Sequence, residues 1–588
     1  MRKIDICKAV AAFMVLVPSV AAAQDLDPTV VVSRKYEGKL MEVSKPAIEM
    51  AVPDSVTTFA LDIDYSVFEK PYKGAYEFNP YVLTMQPASA VQAPRQLYVK
   101  AGAGYALYPT LDVVWTPRFK GPFSMDVYAF HRSYVGNYWS FLPPTSFDSP
   151  VDIERWKVAD GASRDWFGYD LQTRAGADGS YDWNTAVASF DVAYYGLASK
   201  DLRKTRTYDA LDVKLGVASK SADADRFVYK ADASYRFAED KIRFVEKDGF
   251  VGEHLFNANG TFGQVFSAGH RALMDIGVDV VAYKNCPMES VSGQFFLLPH
   301  YMHVRDRWGV DAGLRIAKVF RPEDYSSVFQ ANEQIVYPEV KAWFNVLPNA
   351  MRVYAEVGGG NKLNTYASLL EKNHHMDTSF GFGGNSFMDV TVERVSTVLG
   401  IEGRIASSVS YDLKTGYVNY GNALLDAVAV GNLPEADGLQ YIPGFGYDKY
   451  QKFFVSADWN WRAENIRFDG NLNYIHAWGF TADNGLFAPS PFTGDVSFEY
   501  CWSRRIYAGV DCEFATGRKG SLRLPEEGAL VEAAIPGYAD LGLYFEVAAS
   551  RILSVWARGG NLLNMTIQRN PVYAEKGVNF TVGVCLNL

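Results

Sequence analysis

Apolar and polar residues alternate with a period of two along most of this chain. The pattern is most complete at the end, where apolar side chains occupy every second position from Val578 to Leu588 and small or polar ones lie between them. A strand with hydrocarbon on one face and water on the other has this pattern. Similar runs, each long enough to span a bilayer, recur from Gln96 onward. The sequence therefore predicts an all-β fold, a closed antiparallel transmembrane β-barrel over residues 96–588.

Two kinds of connection alternate between these runs. The short polar turns are 119–123, 182–184, 219–226, 267–270, 305–309, 347–350, 406–408, 462–465, 502–505 and 549–552. The long loops are 140–164, 199–206, 239–250, 284–292, 321–333, 358–393, 420–450, 477–494, 515–537 and 561–576, and one further short connection lies near 107–109. Together they predict about 22 strands, with a range of about 18–26 because 139–170 and 358–393 could each contain a hairpin.

The asymmetry of the connections also predicts the orientation of the barrel. Outer-membrane barrels have short periplasmic turns and long extracellular loops, so both ends of the barrel are expected on the periplasmic side. Stability is expected from the closed hydrogen-bond ladder and the lipid-facing apolar band rather than from a packed central core. Tryptophans near strand ends fit the aromatic girdles of such barrels: Trp115, Trp166, Trp308, Trp461, Trp478 and Trp502.

The first 95 residues differ from the rest. Residues 1–23 have the basic start, the short apolar run and the Ala21–Ala23 cleavage site of a secretory signal peptide. Residues 24–95 are rich in proline and lack long alternating runs, which indicates a periplasmic or lumen-filling segment, or a disordered leader. After residue 24 no apolar run is long enough for a transmembrane helix.

Charge and cysteine placement narrow the possible partners and cross-links. The net charge of −10 argues against nucleic acid as a partner. Strand parity places Cys501 and Cys512 on opposite faces of one hairpin, so no disulfide framework is expected. A soluble propeller or sandwich also has alternating strands, but its strands are shorter and their polar faces less regularly charged.

Charged residues follow the polar parity of the strands, which predicts that they face the lumen. Each would cost up to about 2–4 kcal/mol on the lipid face. The candidates are Lys100, Asp212, Lys214, Lys230, Asp232, Arg236, Asp458, Arg462, Arg467, Asp469, Glu499 and Glu546. They could line a path for solute, or pair across strands and only stabilise the wall.

No residues form a recognisable catalytic or cofactor-binding constellation. His374 and His375, with Asp377, lie in the longest loop and could be argued as metal ligands, but solvated histidines in a mobile loop are the simpler interpretation. The sequence predicts neither an enzyme nor a cofactor or metal site.

The end of the chain resembles TonB-dependent receptors of the outer membrane, most closely the Bacteroidetes-like ones. The similarity rests on the strand Leu553–Arg558, on Gly560-Asn561-Leu562-Leu563-Asn564, and on the final strand. Near the mature N-terminus, Thr29, Val30, Val31, Val32 and Ser33 resemble a TonB box, the segment that engages the energy transducer. The family has a plug of well over 100 residues, whereas residues 24–95 leave room for a reduced plug at most.

Three functions are compatible with these features. The resemblance implies solute uptake across the outer membrane of a Gram-negative bacterium, with outer-membrane lipids and a TonB-type energy transducer or other envelope proteins as partners. A plugless scaffold of an outer-membrane complex is the first alternative. A passive pore is the second, and it is weakened because so wide a barrel must be filled or it would leak.

Overall fold

The strands account for nearly all of the secondary structure. The computed structural model describes residues 96–105, 109–140, 164–200, 205–220, 226–244, 247–267, 269–286, 289–321, 334–348, 350–376, 388–405, 408–432, 439–481, 485–523, 530–575 and 577–588. The strands within these ranges are β1 Leu97–Gly104, β2 Thr110–Trp115, β3 Phe123–Ser140, β4 Arg164–Asp182, β5 Ala186–Lys200, β6 Thr205–Ser219, β7 Arg226–Asp240, β8 Val251–Ser267, β9 His270–Lys284, β10 Ser290–Arg305, β11 Trp308–Phe320, β12 Val336–Leu347, β13 Met351–Leu363, β14 Val390–Ile405, β15 Val409–Asn432, β16 Leu439–Arg462, β17 Ile466–Trp478, β18 Leu486–Phe487, β19 Phe492–Trp502, β20 Ile506–Ala515, β21 Arg518–Arg523, β22 Leu530–Ile535, β23 Tyr538–Ala548, β24 Leu553–Gly560, β25 Tyr573–Ala574 and β26 Asn579–Asn587. One helix, α1, spans Tyr366–Lys372.

Twenty-two of these strands close into one barrel, as predicted. Each barrel strand pairs antiparallel with its neighbours, and β1 closes the sheet by pairing with β26, with Tyr98 opposite Asn587. The four other strands, β18, β21, β22 and β25, lie outside the ring and belong to the long connections. Closure satisfies the backbone polar groups that an open edge would leave exposed to hydrocarbon.

The two faces of the wall follow the predicted parity. On β26, Val582 is 61% exposed on the lipid side, whereas Thr581 is 6% exposed on the inner side. Trp115, Trp308, Trp461, Trp478 and Trp502 are all exposed large side chains near strand ends, as the girdle interpretation predicted. The protein is therefore an outer-membrane β-barrel with a lipid-facing apolar band.

The predicted connections are correct with one clear exception. All ten short turns join consecutive barrel strands at one end of the barrel. The predicted loop 420–450 is wrong, because β15 continues to Asn432 and β16 begins at Leu439. These strands have 24 residues each, about 80 Å of extended chain, and rise far above the membrane.

The last hairpin explains the motif that carries the family resemblance. Asn561 and Asn564 both have positive φ, at 46° and 50°, a conformation that asparagine tolerates better than most residues. The Asn561 side chain donates to the Met565 carbonyl at 2.8 Å and accepts from the Met565 N–H at 2.9 Å. Its own backbone N–H donates to Asp540 at 2.9 Å. The two asparagines thus turn the chain away from β24 without leaving its polar groups unsatisfied.

Apolar packing inside the barrel contradicts the expectation that no packed core contributes. A cluster of buried side chains joins the inner wall of β5–β9 to α1. A second one joins the tops of β15 and β16 to β18, β21, β22 and β25. Both lie at the end with the long connections, so the external loops pack into the mouth of the barrel.

Three remaining predictions concern transmembrane helices, disulfides and the N-terminal segments. No helix among the described residues is long and apolar enough to cross a membrane. Cys286, Cys501, Cys512 and Cys585 are not disulfide-bonded in the described part of the chain. The signal peptide, the segment 24–95 and the TonB-box-like residues 29–33 lie outside the described residues.

Candidate functional site

The connection between β13 and β14 turns inward and lies against the inner wall. We call its described first part, residues 364–376, the latch. Its helix α1 begins with a capping box, in which the Thr365 hydroxyl accepts from the Ser368 N–H and the Ser368 hydroxyl accepts from the Thr365 N–H. Leu369 and Leu370 on the helix are buried in a cluster with wall residues of β5–β9. This places a folded loop segment inside the extracellular mouth.

A buried ion pair fixes the latch to the wall. Arg206 on β6 and Asp240 on β7 have side chains that are only 1% and 0% exposed, and Arg206 Nε lies 3.2 Å from Asp240 Oδ2. The Arg206 guanidinium also donates to the carbonyls of His374 and Met376 at 2.6 and 2.7 Å. The Tyr366 hydroxyl donates to Asp240. Both ends of the latch are therefore bonded to one pair of buried charges.

A second buried carboxylate, on Glu253 of β8, holds the start of the helix. It accepts from the Ala367 N–H at 3.2 and 3.4 Å. Tyr208 on β6 and Tyr283 on β9 each donate a hydroxyl to it at 3.4 Å. The Tyr283 hydroxyl in turn accepts from the Tyr366 N–H at 3.2 Å. These contacts satisfy helix amides that have no partner within the helix.

The base of the latch connection is tied together by Asp389, just before β14. Asn364 donates both its backbone N–H and its side-chain amide to the Asp389 carbonyl, at 3.2 and 2.9 Å. Arg321 forms an ion pair with the Asp389 carboxylate. The Tyr447 hydroxyl accepts from the Asp389 N–H at 2.7 Å and donates to its carbonyl at 3.0 Å. The entry and exit of the loop are thus held side by side.

The two histidines of the latch are packed rather than solvated, so that interpretation of the sequence is wrong. His374 Nδ1 lies 3.0 Å from a carboxylate oxygen of Asp170 on β4. His375 is buried, and its ring centre lies 4.9 Å from that of Tyr573 on β25. Asp377 lies outside the described residues. Within the described ranges no group of three or more histidine, cysteine or acidic residues is arranged to hold a metal.

Other loops form a small sheet above the wall, the mouth sheet, from β18, β21, β22 and the top of β15. β15 pairs with β18 at Asp426 and Ala427, and with β21 at Ala429. Its apolar core includes the buried residues Val428, Val430, Tyr441, Phe487, Leu522, Ala533, Ile535, Val572, Tyr573 and Ala574. Tyr573 belongs to this core and also contacts His375 of the latch, so the mouth sheet and the latch pack together.

The final long connection is anchored by Arg569. Its guanidinium donates to Glu513 at 2.7 and 3.0 Å and lies 3.3 Å from Asp540. Arg518 of the mouth sheet donates to the Arg569 carbonyl at 2.9 Å and to Asp426 at 2.5 Å. These charges join the rim of the wall, the last loop and the mouth sheet into one hydrogen-bonded structure.

Two of the charges singled out from the sequence lie directly beneath the latch. Asp212 is buried and accepts from the Arg236 guanidinium at 2.5 and 2.9 Å. Arg236 Nη1 also lies 3.9 Å from Glu371 of α1. This pair stabilises the wall, and it also places the Arg236 guanidinium beside Glu371 in the last turn of the helix.

Three more charges lie lower on the same sector of the wall. Lys214 Nζ lies 3.8 Å from Asp191 Oδ2, and Lys230 Nζ lies 3.5 Å from Asp232 Oδ2. A cavity of about 510 Å³ runs along this part of β3–β8 and is lined by Lys214, Asp191 and Asp232. The wall here is polar and charged below a closed mouth.

On the opposite sector, carboxylates face one another across strands. Asp412 is directly opposite Asp458, and Lys414 Nζ bridges the two at 3.3 and 3.2 Å. Arg467 Nε lies 3.0 Å from Asp469 Oδ2 on the same strand. Like charges in direct register destabilise a sheet, so the bridging lysine offsets a local cost.

The remaining candidates are dispersed along the wall. Lys100 lies over the ring of Tyr544, with Nζ 5.1 Å from the ring centre. Glu546 accepts from the Tyr544 hydroxyl. Arg462 and Glu499 line a smaller cavity of about 270 Å³ at the end with the short turns. The twelve charges therefore do not converge on a single site.

Sequence reasoning missed the residues that hold the latch. Arg206 stood at the edge of the predicted loop 199–206, and Asp240 stood in the predicted loop 239–250. Arg206 is the first inward-facing residue of β6, and Asp240 is the last inward-facing residue of β7. A usable local signal was Thr365, a residue type preferred at helix N-caps, followed by the apolar pair Leu369-Leu370.

Comparisons with known proteins give a likeness in structure alone. No protein-family model matches the sequence, and no curated protein matches it either. The chain has the barrel fold of siderophore receptors. A ferric enterobactin receptor (PfeA) mutant from Pseudomonas aeruginosa is similar with a TM-score of 0.58 at 10% identity, covering 84% of this chain and 81% of that one.

Two further solved structures support the same fold. The siderophore receptor PirA from Acinetobacter baumannii has a TM-score of 0.58 at 11% identity, covering 85% of this chain and 81% of that one. The FrpB iron transporter from Neisseria meningitidis has a TM-score of 0.57 at 10% identity, covering 85% of this chain and 83% of that one. All three are receptors or transporters by name rather than enzymes.

Proposed function

We propose that this barrel takes up a solute across the outer membrane and that the latch closes its extracellular mouth between uptake events. The observation that carries the proposal is the buried Arg206–Asp240 pair, which holds a folded loop segment inside the mouth above a charged wall. Displacing the latch breaks the hydrogen bonds from Arg206 to the carbonyls of His374 and Met376 and from Tyr366 to Asp240, and a hydrogen bond to a charged group contributes about 1.5–3 kcal/mol. Displacement of the latch therefore requires a binding event or an energy input.

A passive pore is disfavoured by the same closed mouth. A barrel of about 22 strands is wide enough to leak unless something fills it. The latch and the mouth sheet both occupy the mouth in the described structure. In this proposal residues 24–95 act as a reduced plug, and Thr29–Ser33 contact a TonB-type energy transducer.

Ferric siderophores are the first class of solute to test, because the structural neighbours are named for them. Iron-limited cells that lack their own siderophore receptors would express this protein with an intact energy-transducing complex. The expected result is uptake of at least one ferric chelate, lost when residues 29–33 are deleted and kept when residues 84–88 are deleted as a matched control. Uptake that is equal in both deletions would contradict energy coupling through the TonB-box-like segment.

A scaffold function remains the second candidate, because the mouth sheet has an apolar core of its own and projects beyond the membrane. A scaffold predicts envelope proteins that co-purify in fixed ratio and no uptake of any chelate. The test deletes the top of the β15–β16 hairpin. If the partners are then lost, and no uptake is seen with or without the deletion, the scaffold function is favoured over transport.

A further inference from the structure

Two histidines face the lipid at the periplasmic end of the wall. β9 begins at His270, β10 ends at Arg305, and His303 lies directly opposite His270 in the register of these strands. On the outer face of β10, Val291, Phe295 and Tyr301 are exposed and apolar over a height of about 25 Å, the thickness of a barrel's lipid band. His303 and Arg305 follow on the same face. They are therefore placed at the level of the lipid headgroups.

The two imidazoles form one patch with two aromatic side chains. The ring centres of His270 and His303 lie 4.3 Å apart, and their Nδ1 atoms lie 3.2 Å apart. The Tyr301 hydroxyl lies 2.5 Å from His270 Nδ1, and the Trp308 ring centre lies 5.1 Å from that of His303. Tyrosine and tryptophan at this depth mark the membrane interface.

Charge distinguishes this patch from an ordinary aromatic girdle. Arg305 is exposed on the same face, and the turn that follows carries Asp306 and Arg307. Imidazole and guanidinium N–H groups placed at the hydrocarbon boundary need an acceptor, and an anionic oxygen is the strongest one. A phospholipid phosphate lies at that depth in the periplasmic leaflet.

We propose that His270, His303 and Arg305 bind the headgroup phosphate of a phospholipid in the periplasmic leaflet. Both Nδ1 atoms are engaged within the patch, so the Nε2–H of the imidazole pair and the Arg305 guanidinium donate to the phosphate oxygens, and Arg305 supplies the fixed positive charge. Tyr301 and Trp308 contact the glycerol and upper acyl region. The site does not depend on the transport function, because it lies on the outside of the wall.

The barrel offers a matched control in His254 on β8. This residue also faces outward and also contacts aromatic side chains, with Nδ1 2.7 Å from the Tyr235 hydroxyl and a ring centre 5.1 Å from that of Phe237. It lies at the extracellular end, away from the periplasmic leaflet. A general effect of removing a lipid-facing imidazole would therefore appear in both places.

Native mass spectrometry of the full-length barrel in detergent tests the proposal, with short-chain phosphatidylglycerol, the diacylglycerol of the same chains and inorganic phosphate as probes. We expect His270→Ala/His303→Ala to bind phosphatidylglycerol about tenfold more weakly, and Arg305→Gln to weaken it too. His254→Ala should bind like the wild type, and diacylglycerol should bind all of them equally weakly. Heat-modifiable migration on gels confirms that each variant is folded.

Three results would overturn the proposal. Unchanged phosphatidylglycerol binding in the double histidine variant would remove the imidazoles from any site. Wild-type diacylglycerol binding as tight as that of phosphatidylglycerol would show an apolar contact only. Inorganic phosphate binding as tight as that of the lipid would assign the patch to a free anion instead of a headgroup.

Discussion

Replacing Arg206 with alanine tests whether the latch is held by the buried ion pair. The substitution removes the partner of Asp240, whose side chain is fully buried, together with two hydrogen bonds to the carbonyls of His374 and Met376. Removing one member of a buried pair costs about 3–5 kcal/mol, because the other charge is left uncompensated. The wall itself keeps its backbone ladder, so this cost falls mainly on the closed position of the latch. The open position should become about 100-fold to 4,000-fold more populated.

Cys286 provides a native reporter for the opening of the latch. It is 0% exposed and belongs to the apolar cluster that contains Tyr366 and Leu370. In the Arg206→Ala variant, we expect a maleimide to label Cys286 at least tenfold faster, with label assigned by peptide mass spectrometry. Hydrogen exchange of the amides of 366–372 should accelerate in parallel.

Two further variants test whether the buried pair holds the latch closed. Adding Asp240→Asn to Arg206→Ala should restore much of the protection, because a neutral amide replaces the orphaned carboxylate. Arg352→Ala, which removes a guanidinium bonded to Glu402 at the periplasmic end of the wall, should leave Cys286 protected. If labelling and exchange in Arg206→Ala match the wild type, the buried pair does not hold the latch.

Three other predictions concern the latch, the last hairpin and the two faces of the wall. Thr365→Ala removes the helix cap and should cost about 1 kcal/mol, giving about fivefold faster labelling of Cys286; equal rates would mean that the cap does not limit opening. Asn561→Ala should lower the thermal unfolding temperature more than Asn561→Gly, because glycine accepts the positive φ; the reverse order would contradict the strain argument. Val582→Arg should destabilise the barrel by about 2–4 kcal/mol in urea unfolding, whereas Asn471→Arg, between Asp458 and Asp495 on the inner face, should cost little; similar losses would mean that the faces are assigned wrongly.

The barrel wall was predictable because each strand meets lipid on one side and water on the other. That contrast enforces strict alternation, and a shift of one residue would expose the whole polar set to hydrocarbon. The short turns were equally clear, since they interrupt the alternation with a few polar residues. Strand number and the closed antiparallel barrel followed from these two signals.

The β15–β16 extension was missed for the opposite reason. Above the membrane both faces of β15 are covered, with Leu425 buried on one side and Val428 on the other. A strand buried on both faces loses its alternation, so residues 423–430 fell within the predicted loop 420–450. The tertiary contacts of the mouth sheet, absent from any local pattern, stabilise it as a strand.

The latch was missed because its contacts are distant in sequence. Arg206 and the carbonyls of His374 and Met376 are brought together only when the loop folds into the mouth. His374 and His375 looked solvated for the same reason, since Asp170 and Tyr573 lie far along the chain. Alternation indicates which side of the wall a residue faces, but it carries no information about what a loop packs against.

Single-channel conductance in planar bilayers measures whether the latch and residues 24–95 close a lumen through this barrel. The set consists of the full-length protein, the deletion of residues 24–95, Arg206→Ala, and the two changes combined, with Arg352→Ala as control. We expect a closed full-length barrel and the largest conductance in the combined variant, because the proposed plug and the latch are both released. Closed behaviour in all of them would contradict a transport lumen gated by the latch, and full conductance in the unmodified protein would contradict the closed mouth.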